Sequence, residues 1–348
     1  MPSRPPTSHL PLPAASTTPA AALARFRRLR LVVWGDFIAD EFIYGEISRV
    51  SREAPVLILR HREQSLVPGG GANTAANLAA LGVQVKLIGV IGDDAAGRAL
   101  RRFFSQAGMD LRGLLTVPGW PTPSKTRILA GHSHTTRQQI VRLDREPGRA
   151  LPEAMVRRLR ARAARACRAA DGLIVCDYGY GSVSPSAVQP APAWLPAGAP
   201  FTVDARFTLA GYRGLTAATP NEEEVEEIFH APIGDNRRRL DNFGRRLLRQ
   251  LRAAGLLITR GRDGMALFQP RRRTLHIPIS GNDQAVDVTG AGDTVIAVFT
   301  AALASGAGME LAARLANAAA GIVVMKPGTA VVQMPELLAA AQRMSPSA

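Results

Sequence analysis

Apolar residues fall into two rhythms along this chain. "LRLVVWGD" (29–36) is a short unbroken apolar run ending in Gly-Asp, the pattern of a strand buried on both faces. "VQVKLIGVIG" (83–92), "GLIVCDY" (172–178), "FTVDA" (201–205) and "GLLITRG" (255–261) repeat it, and "TAATPN" is a shorter example. Helical spacing fills the intervals, as at 95–107 and 152–168, and dominates the last third over 290–305, 309–325 and 335–344. Strands alternating with helices predict an α/β fold with one doubly wound, mostly parallel sheet. "EFIYGEISRV", "PVLILRHREQ", "TPSKTRILAG" and "TRQQIVRLDRE" instead alternate apolar with polar residues, like strands exposed on one side. They predict a small antiparallel β lid with strands over about 41–62 and 123–145. No repeat or long linker interrupts the pattern, so 25–348 reads as one domain.

The most apolar stretch, 294–325, is broken by Glu310 and Arg314, which excludes a membrane span. Residues 1–24 are rich in Pro, Ala, Ser and Thr and read as a disordered extension, with a short helix near 21–29. Their basic cluster follows the small residues, the reverse of a secretory signal, so a cytoplasmic location is expected. Cys167 and Cys176, placed at a helix end and in a buried strand, suit unpaired thiols there. The net charge is +15, and Lys86, Lys125 and Lys326 are the only lysines among the 43 basic residues. The arginines lie along helical faces such as "RRLRARAARACR" with few aromatics between them, a solvated surface rather than a nucleic-acid site.

Candidate chemistry centres on "DVTGAGDTV" (287–295). A turn of Gly290, Ala291 and Gly292 before a helix lets unpaired backbone N–H groups converge on an anion such as a phosphoryl group in transfer. Asp293, in the first helical turn, can take the proton of an attacking hydroxyl. The alternative is a tight turn with Asp293 capping the helix. "PGGGANTAANLAALG" supplies a second glycine turn, with Asn73 offering a donor and an acceptor to a sugar.

These two motifs, with Gly35-Asp36 on the first strand and "TPNEEE" between them, resemble the ribokinase-type (PfkB) carbohydrate kinases from about 29 to 338. Within that family "VVWGDFIADEFIYGEISRVSREAPV", "PTPSKTRIL", "RQQIVRLD" and "ANAAAGIVV" are similar to bacterial D-glycero-β-D-manno-heptose 7-phosphate kinases. The resemblance implies the ribokinase-like fold and transfer of the γ-phosphoryl group of ATP to the anomeric hydroxyl of the heptose phosphate. Asp293 is then the base and Gly290, Ala291 and Gly292 the anion hole. Asp36, Asp40, Gly69, Gly70 and Asn73 would grip the sugar. Lys125, Arg127 and Arg142 are candidates to anchor its phosphate because they lie on lid strands that would fold over the sugar, with plain strand surface charge as the alternative. Asn221 and Glu224 would organise Mg²⁺ and phosphates. Thr259, Gly261, Gly264 and Asn317 would border the nucleotide, and Asp287 and Thr289 would lie near a monovalent cation, K⁺ for instance.

Two departures bear on the substrate. "DYGYG" puts Tyr180, and "DARF" puts Arg206, where heptose kinases carry lysines. Another sugar, sugar phosphate or nucleoside is therefore the alternative acceptor on the same scaffold. A non-catalytic sugar or nucleotide sensor would have no need of Asp293. His132 and His134, on the polar turn of the lid, read as exposed polar residues rather than metal ligands. Alternating Phe42 and Ile47, with Leu57 and Leu59, would leave apolar edges on the lid, which predicts a homodimer joined through the lids.

Overall fold

The computed structural model describes residues 17–131, 138–281 and 285–344. The lid turn with His132 and His134 lies outside them, as do residues 1–16. In chain order the first strands are β1 (Arg30–Gly35), β2 (Phe37–Val50), β3 (Leu57–Gly70), β4 (Gln84–Gly92), β5 (Asp110–Val117), β6 (Ser124–Gly131) and β7 (Gln138–Arg145). After them come β8 (Gly172–Asp177), β9 (Phe201–Ala205), β10 (Ala217–Ala218), β11 (Gly255–Thr259), β12 (Met265–Phe268) and β13 (Leu275–Ile277). The main sheet has nine strands in the order β13-β12-β11-β10-β9-β8-β1-β4-β5, parallel except for the antiparallel edge of β12 and β13.

β1 shows why its sequence reads as a continuous apolar run. Successive side chains point to opposite faces of a sheet, so Leu31 and Val33 join one hydrophobic core while Val32 and Trp34 join the other. Helices Gly71–Ala80, Ala291–Ala304 and Met309–Val323 cover the first face. Helices Glu153–Cys167 and Arg237–Leu251 cover the second. The chain adds β4 and β5 on one side of β1, then returns to place β8 on the other. Strand order therefore reverses between β1 and β8, where open α/β sheets bind their ligands.

The lid is a second sheet, ordered β3-β2-β6-β7. β2 follows β1 after Asp36 alone, so the lid grows directly out of the central strand. The lid is not wholly antiparallel as expected: β2 pairs with β3 in antiparallel fashion but with β6 in parallel. An amphipathic alternation identifies a strand, but it is blind to the direction of a partner some 80 residues away. The boundary expected at residue 24 also moves. Helix Pro19–Arg25 starts from a Thr18 cap with proline in its first turn and buries Ala22 and Leu23 in the core.

Candidate active site

Gly290 adopts φ 78°, and a Cβ there would lie 2.4 Å from the Asn73 amide nitrogen, so the turn accepts only glycine. Helix Ala291–Ala304 starts at the next residue. The Ala291 N–H donates to the Val288 carbonyl at 3.2 Å, which closes the turn. Among the described residues the N–H groups of Gly290, Gly292 and Asp293 have no protein acceptor. One N–H of the expected anion hole is therefore not free: Ala291 spends its own on the turn, while that of Asp293 is left without a protein acceptor. At Gly292 a Cβ would meet nothing within 4 Å, since this residue borders open space on both sides of the turn.

Asp293 is 6% exposed. Its Oδ1 accepts from the Tyr178 hydroxyl at 2.5 Å and its Oδ2 from Asn73 Nδ2 at 3.0 Å. Burial drives its pKa up to about 7; the two hydrogen bonds oppose the rise, and the charges of Asp204 and Asp40 add to it. A carboxylate so tuned is poised to exchange a proton near neutrality.

Asn73 is turned toward Asp293 rather than toward open space for a sugar. Its amide oxygen accepts from Asn77 Nδ2 at 3.1 Å, and the Asn77 oxygen accepts from the Val332 N–H at 3.1 Å. This chain turns the Asn73 NH₂ toward Asp293, and at 1% exposure Asn73 has no surface for a ligand. Asp36 also departs from its expected role. It is fully buried, and its oxygens accept from the N–H groups of Tyr178, Tyr180 and Ser182, each at 3.0 Å. Burial raises its pKa to about 6 against those bonds. Both polar residues were legible as site residues, but the fold spends them on alignment.

A cleft of about 370 Å³ opens over the carboxyl ends of β8, β9, β10 and β11, bordered by Tyr178, Asp204, Thr219 and Thr259. On its lid side stand Asp40, Gly70, Lys125, Arg127 and Arg206. Asp40 accepts from Arg127 at 2.7 Å and from the Thr329 hydroxyl at 3.2 Å, and Gly69 leaves room for it, since a Cβ there would strike its carboxylate at 2.3 Å. Burial pulls the Lys125 pKa down, with the Asp40 charge opposing. Arg142 is not brought in: it is exposed on β7 and bonded to Asp144 at 3.0 Å. Tyr180 does not line the cleft either, because its hydroxyl donates to Glu146 at 3.1 Å. Arg206, by contrast, faces the space where a cation was expected.

The opposite wall is acidic, with Asp204, Glu223, Glu224 and Glu227. Burial raises the proton affinity of both Asp204 and Glu224, and the Glu224 charge adds to the rise at Asp204. Asn221 and Glu224 form a reciprocal capping box at helix Glu222–Phe229, so the Asn221 oxygen is engaged and Glu224 keeps one oxygen to spare. Among the described residues Thr219 Oγ1, buried beside them, has no hydrogen-bond partner. Crowded carboxylates whose charge burial disfavours, plus an orphaned hydroxyl, fit a divalent cation with phosphate oxygens. Among the described residues no group of three His, Cys, Asp or Glu side chains could hold a metal ion by itself. Asp287 ties the loop together by accepting from the N–H groups of Thr289 and Gly328 at 2.9 and 3.0 Å.

A second cavity of about 420 Å³ adjoins the first, and Thr259 and Gly292 border both. It gathers Gly261, Gly264 and Asn317 with apolar Ile279, Val288 and Val295. Asn317 is fixed there by donating to the Pro278 carbonyl at 2.7 Å. Tyr178 and Asp204 are site residues that sequence reasoning missed. Both adjoin the carboxyl end of a buried strand, the one signal that could have found them.

Two cavities meeting at a backbone anion pocket, with a carboxylate beside it, define a phosphotransferase with an alcohol acceptor. The chain belongs to the pfkB family of carbohydrate kinases, whose family model matches residues 29–147 and 198–337. It is 38% identical over 327 residues to the Bifunctional protein HldE of Azorhizobium caulinodans, covering 92% of this chain and 66% of the relative. The protein of the same name from Pectobacterium atrosepticum is 38% identical over 320 residues, covering 90% and 64%. The chain thus spans less than two thirds of the length of these curated relatives. Arabidopsis thaliana ribokinase complexed with ribose and ATP shares the ribokinase-like fold, with TM-score 0.70, 21% identity and coverage of 91% and 99%. Escherichia coli phosphofructokinase-2 with fructose-6-phosphate does so at TM-score 0.73 and 18% identity, covering 91% and 100%. No helix among the described residues is long and apolar enough to cross a membrane.

Proposed function

We propose that this carbohydrate kinase transfers the γ-phosphoryl group of ATP to the anomeric hydroxyl of D-glycero-D-manno-heptose 7-phosphate. The observation that carries the reading is the junction at Gly292: base, unpaired N–H groups and both cavities meet there. ATP lies with its base in the cavity of Asn317 and its phosphates toward Gly292. The sugar lies under the lid, where Lys125, Arg127 and Arg206 offer cations to a phosphate. Asp293 removes the hydroxyl proton as the oxygen attacks, and the N–H groups of Gly290, Gly292 and Asp293 receive the charge on the transferring group. Glu224, with Asp204 nearby, is the side chain to hold Mg²⁺, which when bound neutralises phosphate charge. Asp287 and Thr289 mark the loop for a monovalent cation such as K⁺. The names of the HldE relatives and the "YGEISRVSREAPV" segment support the heptose over other sugars.

The test is ADP release by the purified chain with Mg²⁺ and K⁺, comparing heptose 7-phosphate with fructose 6-phosphate, ribose and a nucleoside. Turnover confined to heptose 7-phosphate is expected; a different preferred acceptor would overturn the assignment.

A homodimer joined through the lids belongs to the same reading. Phe42 is buried beneath Arg127, but Val50, Val56 and Leu57 at one end of the lid and Ile140, Val141 and Leu143 on β7 leave apolar surface open. A monomer mass by light scattering at micromolar concentration would exclude it. We place the enzyme in the cytoplasm, where ATP is supplied and the buried thiols of Cys167 and Cys176 stay reduced.

A further inference from the structure

The base is held by a group whose part in the reaction is set by a count of hydrogens. The Tyr178 hydroxyl lies 2.5 Å from Asp293 Oδ1 and 3.3 Å from Asp204 Oδ2. A phenol has one hydrogen to donate, and the shorter contact, in the range of O–H···O⁻ bonds, takes it. With Asn73 on Oδ2, each oxygen of Asp293 then has one donor from behind, which fixes the carboxylate plane and leaves its other lone pairs for the cleft. Tyr178 is itself clamped. Its N–H donates to Asp36 at 3.0 Å, and a Cβ at Gly70 would come within 3.0 Å of its ring edge. Asp36 is the single residue between β1 and the lid strand β2, so a continuous series of bonds runs from the root of the lid to the base.

We propose that Tyr178 is a positioning residue for phosphoryl transfer: its hydroxyl orients the Asp293 carboxylate and stabilises its ionised form, and Asp36 sets Tyr178 in place. This rests on the reading of Asp293 as the base. Burial between carboxylates raises the phenol's own pKa well above its usual value, so it remains a donor throughout the pH range of the reaction. Asp40, Asp204, Asn73 and Tyr178 are the polar and charged groups around Asp293, and Glu224 stands near Asp204 on the acidic wall of the cleft. Of the four around Asp293, Tyr178 and Asn73 donate to it, and the other two, Asp40 and Asp204, are carboxylates that disfavour its charge.

The experiment compares Tyr178→Phe and Asp293→Asn with the unaltered chain, measuring kcat and KM from about pH 6 to about pH 9. Tyr178→Phe keeps the ring and its packing. It is expected to lower kcat by about 10- to 100-fold, the value of a hydrogen bond to a charged group. KM for sugar and ATP should stay within about threefold, and the acid limb of the kcat profile should move to higher pH by about one unit. If kcat is unchanged, if the loss lies in KM, or if the limb does not move, the positioning role is wrong. If Tyr178→Phe does not fold, site-specific incorporation of a fluorotyrosine at 178 replaces it. The more acidic hydroxyl donates more strongly, so the limb should move to lower pH, and no movement overturns the proposal. The two readings fail separately. Activity retained by Asp293→Asn removes the base, whereas an inactive Asp293→Asn beside an unaffected Tyr178→Phe removes only the positioning role.

Discussion

Asp293→Asn should abolish turnover and at the same time stabilise the fold. Burial raises the folded pKa of Asp293 from 3.8 to about 7. The folded state therefore binds a proton more tightly than the unfolded one, and stability falls as pH rises from about 4 toward about 7 before levelling off. At about 1.4 kcal/mol for each pH unit, that window amounts to an upper value of ~4 kcal/mol at pH 8. The asparagine keeps the shape and both partners: its oxygen accepts from Asn73, and its NH₂ donates to the Tyr178 oxygen, whose hydrogen turns to Asp204 at 3.3 Å. With an unfolding entropy near 2 cal/mol/K per residue, ~4 kcal/mol corresponds to about 5 °C in Tm for a chain of this size. Thermal melts of both proteins without ligand, from about pH 4 to about pH 8, should give curves that coincide at the acid end and separate as pH rises. A gap that is constant with pH, or a variant less stable at pH 8, would refute the burial argument whatever the activity shows.

Other predictions follow from the two sides of the cleft. Gly292→Ala should fold normally, since a Cβ there meets nothing within 4 Å, yet lose about 10²- to 10³-fold in kcat because the methyl fills the space of the transferring group; equal losses in Tm and kcat would contradict this. Arg206→Ala should raise KM for a phosphorylated sugar at least about tenfold while leaving KM for ATP within about twofold, as for loss of one charge-assisted contact. Tyr180→Lys should change neither, because that side chain bonds Glu146 outside the cleft; restored or improved turnover in that variant would show that the loop places residue 180 differently.

What the sequence reveals, and what it hides, divides along physical lines. Buried strands announce themselves because both faces are covered, and β1 and β8 fall within a residue or two of the runs "LRLVVWGD" and "GLIVCDY". Gly290 and Gly292 are legible because backbone that must turn left-handed or approach an anion tolerates no side chain. Direction of pairing in the lid is hidden, since β2 and β6 meet only through the tertiary fold. Partners of polar residues are hidden for the same reason. Tyr178 reaches Asp293 across 115 residues, and only the reversal of strand order beside β1 brings them together. Asp36 and Asn73 look alike on paper, a polar residue close to glycine, yet one accepts from three backbone N–H groups and the other donates to Asp293. The start of the first helix was available in the pair Thr18-Pro19, a capping residue followed by proline, but a proline-rich surrounding masks it.

The distribution of charge connects these observations to the way the site works. The chain carries a surplus of +15, yet the centre of its cleft holds buried carboxylates whose pKa values burial has raised. The ammonium of Lys125 on the facing wall is perturbed by burial in the opposite sense. Each side is thus destabilised in its charged form when the cleft holds only protein. A cation brought with the nucleotide would favour ionisation of Asp204 and Glu224, and an anionic sugar would favour protonation of Lys125. Both changes would stabilise the closed, occupied site more than the empty one, and both depend on charge arriving with the substrates. Asp293 differs from the others in being held by two hydrogen-bond donors, Asn73 and Tyr178, which oppose the raised proton affinity that burial imposes. In the base role proposed for it, they favour the ionised form that takes the hydroxyl proton.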